Sequence, residues 1–351
     1  MMKKIAVFFI FVSIGASFSA LYADDAANGY ADSYAGGVAD INRLKATLRS
    51  YTLSLSSQFG MLWGQGEEQV YENADSDRLL SQLLWDIKPL WYLGLGMEFA
   101  QKDPMEGPGI VGVLSAKFGI PAMSGTMEDR DWQALGGKLS NYSWHDNLTE
   151  GAVMLDLTLG LSIPAWNLMT IRFFAGISYT RFSWGAYDGY YRYGKKVGSV
   201  YDALTDSDSA FAMSGPVVSY SQDWLYLPFG IRISTLPKVV SLALYYSAGP
   251  VLNYLGQDRH YMRVGTGYYG QFIDEMNGGY VLEGGGEFRF SPLERFSLLL
   301  RVSHRSMSAS PHGRSFGSYT GTGSRAWDFL GATAGGRFQS LDLGIGLEVR
   351  L

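Results

Sequence analysis

The last eleven residues, Leu341 to Leu351, alternate apolar and polar side chains without a break. Leu341, Leu343, Ile345, Leu347, Val349 and Leu351 share one side of an extended chain, and Asp342, Gly344, Gly346, Glu348 and Arg350 share the other. A period of two marks a β-strand. One wholly apolar face backed by charges suits a strand that separates lipid from a polar lumen. A soluble sandwich could also carry such a strand, so the rest of the chain has to decide.

The same alternation recurs. Val153, Leu155, Leu157, Leu159, Leu161 and Ile163 alternate with Met154, Asp156, Thr158, Gly160 and Ser162. Phe296, Leu298, Leu300 and Val302 alternate with Ser297, Arg301 and Ser303. Composition agrees: Gly is 44 of 351 residues, Tyr 23 and Trp 9, while only 17% are charged. Tight glycine packing and aromatic girdles are expected of a barrel in a bilayer. Met1-Met2-Lys3-Lys4 followed by the apolar Ile5 to Ala16 reads as a secretory signal, with cleavage expected after Ala20 or Ala23. The sequence therefore divides into a signal over 1–23 and one barrel domain over 24–351, with 24–48 a polar entry segment. With no cysteine there is neither a lipid anchor nor a disulfide framework. Loss of Lys3 and Lys4 moves the net charge from -5 to -7, which gives no sign of a nucleic-acid partner.

The fold class expected is an all-β antiparallel transmembrane barrel of about ten strands with long extracellular loops. The strands are expected near 50–63, 69–88, 89–102, 108–123, 150–164, 167–185, 216–234, 238–258, 279–304 and 338–351. Short Pro-bearing connections such as Ile163-Pro164-Ala165-Trp166 and Thr235-Leu236-Pro237 contrast with long polar ones over 186–215, 259–278 and 305–337. Chemistry is expected at the long-loop end.

Two clusters there stand out. In Met127-Glu128-Asp129-Arg130-Asp131-Trp132, Asp129 and Asp131 have the parity of Val113, Ser115 and Lys117, which sends both toward the lumen. Two close carboxylates share a proton, which makes one a usable acid or base. In Asp258-Arg259-His260-Tyr261, the carboxylate can fix the tautomer of the imidazole and raise its basicity. Counting from Leu242, Leu244 and Tyr246 turns Asp258 and His260 outward, so a bulge is required, and Gly249-Pro250 is the expected place. Taken singly, each cluster reads more readily as solvated or structural charge than as chemistry; they gain weight together, both at the same end of a barrel.

At these residues the chain resembles the omptins, ten-stranded endopeptidases of the bacterial outer membrane. Met127, Asp129, Asp131 and Trp132 match that family's Met-x-Asp-x-Asp-Trp, and Asp258, His260 and Tyr261 match its Asp-x-His-Tyr. Glu68-Gln69-Val70-Tyr71, Ser81-Gln82-Leu83 with Trp85, Ser143-Trp144-His145, and Ala175-Gly176 with Arg181-Phe182-Ser183 follow in the family's order, over about Tyr51 to Leu351. The resemblance implies catalytic roles for Asp129, Asp131, Asp258 and His260, with Glu68 and Met127 binding substrate. It implies a water activated between the two pairs and cleavage beside basic residues. One departure is Gly256, which stands where the family has a second specificity carboxylate. No cofactor and no metal is expected, since no Cys or His cluster has ligand spacing. The implied partners are a peptide or protein substrate and outer-membrane lipid, with lipopolysaccharide dependence open, and a monomer is expected. His145 reads as a solvated loop residue, and Ser143 as no nucleophile, because the histidine–carboxylate pair is committed elsewhere. A barrel without proteolysis, acting as adhesin or receptor, is the alternative. A porin is the third reading, disfavoured because a ten-stranded lumen is filled by side chains.

Overall fold

The computed structural model describes residues 50–73, 78–166, 168–198, 200–236, 239–263, 268–309, 313–319, 327–331 and 333–351. The expected signal and entry segments lie outside the described residues, as does His312, which the sequence reads as a bystander at or beyond a strand end.

The strands are β1 Tyr51–Tyr71, β2 Leu79–Gln101, β3 Gly109–Gly119, β4 Ala122–Asp131, β5 Asn141–Ala165 and β6 Met169–Tyr193. Three two-residue strands follow, β7 Lys196–Val197, β8 Val200–Tyr201 and β9 Phe211–Ala212. The series continues with β10 Pro216–Tyr226, β11 Phe229–Thr235, β12 Val240–His260, β13 Tyr269–Met276 and β14 Gly279–Leu293. It ends with β15 Phe296–Ala309, β16 Arg314–Tyr319, β17 Asp328–Phe329 and β18 Thr333–Arg350. Sixteen of these form one sheet. It closes on itself in the order β10, β6, β5, β3, β2, β1, β18, β15, β14, β12, with β12 returning to β10. Every pairing in the ring is antiparallel, so no edge is left open there.

The barrel is therefore as expected, but its strand count is higher than ten and several expected boundaries move. Residues 69–88 and 89–102 do not form two strands: β2 runs through Pro89. It can do so because Lys88 and Pro89 fall in a register shift between the pairs Leu62–Leu90 and Gly64–Ile87, where the missing N–H costs no ladder bond. Conversely, 279–304 is two strands, with Leu293 opposite Phe296 across a two-residue Glu294-Arg295 turn.

Outward side chains of the short-turn half form an apolar belt that includes Leu93, Leu95, Leu159, Phe173, Leu244, Leu300, Ile345 and Leu347, all exposed. Exposure of so many large apolar groups is what a bilayer solvates. Inside the belt the lumen carries charges in compensating sets. Glu287 accepts from Arg301 at 2.7 Å and Arg232 at 2.9 Å, with Arg289 at 3.3 Å, and Arg289 also reaches Glu348 at 2.8 Å. Asp342 holds Lys117 and the Tyr92 hydroxyl. Charges buried this way must be paired, and they are.

Above the belt the alternation inverts. Trp85, Trp184, Trp224, Tyr220, Tyr254, Phe182 and Phe338 turn inward and are fully buried, stacked at centroid distances such as 5.5 Å for Trp85–Tyr220 and 4.5 Å for Phe182–Phe338. This aromatic plug is the floor on which the long-loop end stands.

Candidate active site

Asp129 and Asp131 lie at the end of β4, two and four residues beyond the fully buried Met127 on the same inward face. The expected orientation is reached through irregularities that compensate. β3 breaks at Ile120-Pro121, and β4 shifts register between Met123 and Thr126, where Gly125 has φ +80. Across the sheet Asp129 stands between Leu83 of β2 and Ser143 of β5. Asp131 Oδ2 accepts a hydrogen bond from Asn141 Nδ2 at 3.1 Å. Asp129 Oδ1 is buried with no hydrogen-bond partner. Burial first, then the neighbouring Asp131 and also Asp258, push the Asp129 carboxyl well above the usual range. At neutral pH such a group holds its proton longer than a solvated aspartate does.

The second pair comes from β12. The imidazole of His260 donates from Nε2 to Asp258 Oδ2 at 2.7 Å, and both are buried or nearly so. With Nε2 committed to the carboxylate, Nδ1 is the basic nitrogen. Phe272 of β13 meets the His260 ring edge-on at 5.5 Å. The required bulge exists, but Gly249-Pro250 is not its place, since both residues keep register with Val281 and Tyr280 of β14. The extra residue is Leu252: Tyr226 pairs with Val251 and Leu225 with Asn253. Inward residues are odd up to Val251 and even from Tyr254, which brings Gly256 and Asp258 inside. There β12 also exchanges its neighbours, from β11 and β14 below to β10 and β13 above.

The two pairs sit on walls that are not adjacent, yet Asp258 acts on the carboxyl of Asp129 across the mouth. Glu68, near the end of β1, is opposite Leu83, which is in turn opposite Asp129. It is 4% exposed and feels Asp258, Asp274 and Asp129. Burial, reinforced by those acids, raises its carboxyl well above the ordinary value. Met127, expected to touch substrate, has no accessible surface and belongs to the buried floor instead.

Two residues differ from expectation. His145 is not a solvated loop residue: it is 1% exposed, at a bulge where β5 skips from Trp144 to Asp146. Its Nδ1 donates to the carbonyl of Asp188 at 2.6 Å, and its Nε2 accepts from Ser143 Oγ at 2.8 Å. Burial lowers its pKa, so the ring is neutral. Ser143 therefore has a histidine of its own, beside Asp129. Asp274 of β13 is the residue that sequence reasoning missed. It is 3% exposed, and burial raises its carboxyl to about 7 despite a hydrogen bond from Ser315. Only its strand pairing, invisible in sequence, brings it to Glu68.

A family model for the omptins matches residues 49–351. Among solved structures, the outer-membrane protease OmpT from Escherichia coli aligns with a TM-score of 0.72 at 15% identity, covering 86% of this chain and 97% of that one. The translocator domain of the autotransporter NalP from Neisseria meningitidis aligns at a TM-score of only 0.31 and 10% identity, over 89% of this chain and 95% of that one. A search of curated proteins found no match.

Proposed function

The chain belongs to the omptin family of outer-membrane β-barrels, and from that premise we propose that it is an endopeptidase whose water is activated between Asp129/Asp131 and Asp258/His260. In this reading Nδ1 of His260 takes a proton from the water, and Asp258 holds the ring and stabilises the imidazolium that forms. The Asp129/Asp131 pair positions the water from the other side. The resulting hydroxide adds to the scissile carbonyl, and His260 returns its proton to the leaving amine as the C–N bond breaks. A base within hydrogen-bond reach contributes about 10²–10⁴ in rate. The observation that carries the proposal is the convergence of five acids and one imidazole at one mouth, with Asp258 felt at Asp129, Glu68 and Asp274.

We also propose a single copy as the working unit, acting on peptide or protein chains, with Glu68 receiving a basic side chain beside the cut bond. Met127 would act from beneath, by shaping the floor. The Ser143–His145 contact favours a second reading, a serine nucleophile and an acyl-enzyme. Digestion of a peptide library by refolded protein with added lipid separates these. His260→Ala should abolish every wild-type cut, and Ser143→Ala should retain them. Cleavage that survives in His260→Ala would refute the water mechanism. Loss of all cleavage in Ser143→Ala, with hydroxylamine-trappable acyl-enzyme in wild type, would replace it with the serine route.

A further inference from the structure

Gly256, two residues before Asp258, cannot offer a carboxylate, but its cross-strand partner can. Gly256 and Asp274 are paired between β12 and β13, and paired residues project to the same face of a sheet with their Cβ positions about 5 Å apart. Asp274 thus presents its acid from the neighbouring strand. There its charge acts on the carboxyl of Glu68.

Room explains the exchange. A Cβ at position 256 would lie 3.1 Å from the Tyr254 hydroxyl and 3.4 Å from that of Tyr220, and those hydroxyls are bonded to each other at 2.6 Å. An acid on that Cβ would crowd the tyrosine pair. One strand over, Asp274 avoids it.

The pair is unsatisfied. Glu68 Oε2 and Asp274 Oδ1 are both buried and have no hydrogen-bond partner, in side chains only 4% and 3% exposed. The groups acting on them are acids and hydroxyls: Asp258 and Asp129 on Glu68, Asp258 and Ser315 on Asp274. Buried acceptors left this way call for a donor-rich cation. A guanidinium, with five donors in a planar fork and an apolar stem, suits two carboxylates above stacked aromatic rings. Trp85 and Trp184 stack on Tyr220 at 5.5 and 5.9 Å and supply those rings.

We propose that Asp274 is a specificity-determining carboxylate, which together with Glu68 receives the basic side chain of the substrate beside the scissile bond. This rests on the peptidase reading above, but its test does not need turnover. Benzamidine is titrated into the refolded full chain carrying His260→Ala, followed by tryptophan fluorescence, with neutral benzamide as control. Asp274→Asn should weaken benzamidine by about tenfold to a hundredfold, the range of a hydrogen bond to a charged group. Asp274→Glu should recover part of the loss, and benzamide should bind equally to all. Unheated gel mobility establishes that each variant is folded, and Asp274→Ser serves if the Asn variant is not.

Equal benzamidine binding by Asp274→Asn and its parent would overturn the proposal, as would equal losses for benzamidine and benzamide. On the His260-intact protein, Asp274→Asn should raise KM for a peptide with Arg before the cut more than for its Gln counterpart, so that the Arg-over-Gln preference falls. If wild type cleaves neither peptide while benzamidine binding still needs Asp274, the peptidase reading fails and the subsite stands.

Discussion

Replacing Asp258 with Asn keeps the side chain's size and removes its charge. The bond it alters is the 2.7 Å contact from His260 Nε2. Hydrogen bonds to charged groups contribute about 1.5–3 kcal/mol against 0.5–1.5 for neutral ones, a difference of roughly 1.5 kcal/mol, or about tenfold in rate. The larger effect is on the tautomer. If the amide turns its NH2 toward Nε2, the ring proton moves to Nδ1, and the base facing the water is lost. A comparable carboxylate-to-amide change in a serine protease triad costs about 10⁴ in kcat. The expected loss is therefore between about 10 and 10⁴, and it must appear in kcat. Asp258 also raises the carboxyls of Glu68 and Asp129, so removing its charge leaves those acids more ionised and KM for a basic substrate unchanged or lower. Steady-state kinetics on a quenched fluorescent peptide separates the two constants. A kcat within threefold of wild type, or a loss confined to KM, would refute the reasoning.

Ser143→Ala should cost less than tenfold in kcat, because in the water mechanism the hydroxyl only holds a neutral His145; a loss near 10⁴ in the same assay would contradict this. KM for an Arg-containing peptide should fall as pH rises from 6 to 8, since the Asp274 carboxyl, raised to about 7, is neutral below that range and anionic above it. The linkage has the matching sign: a raised folded pKa favours the fold at low pH and is lost as pH climbs through 7, so thermal stabilisation by benzamidine should grow with pH. Glu287→Ala leaves Arg301 and Arg232 without their carboxylate at 2.7 and 2.9 Å. It should destabilise the barrel by about 3–5 kcal/mol, read as a lower urea midpoint for the loss of unheated gel mobility.

Much of the fold was legible because lipid imposes a strict period of two on the belt. Leu341 to Leu351 and Val153 to Ile163 announced their faces residue by residue. Legibility failed where that rule stops. β5 begins at Asn141 and β6 runs to Tyr193, yet above the belt the apolar face turns inward and the outward-apolar signal ends. Pro89 reads as a break, but a register shift absorbs it. Glu294-Arg295 carries no Gly or Asn to announce a turn, yet it makes one. For the site, i, i+2 spacing correctly put Asp129 with Asp131 and Asp258 with His260. The need for a bulge in β12 was also legible; its position at Leu252 was not, because a bulge is fixed by the neighbouring strands. Asp274 could not be found from sequence, since its meaning comes from standing opposite Gly256.

The central claim is that the β4 acids and the β12 histidine act as one unit on a single water. The direct measurement is kcat for His260→Ala, Asp129→Ala and the double variant on one peptide, each confirmed as folded by unheated gel mobility. Residues that act as a unit are strongly non-additive, so each single change should fall to nearly the same floor as the double. Losses that multiply, or an Asp129→Ala protein that turns over at near wild-type rate, would contradict it.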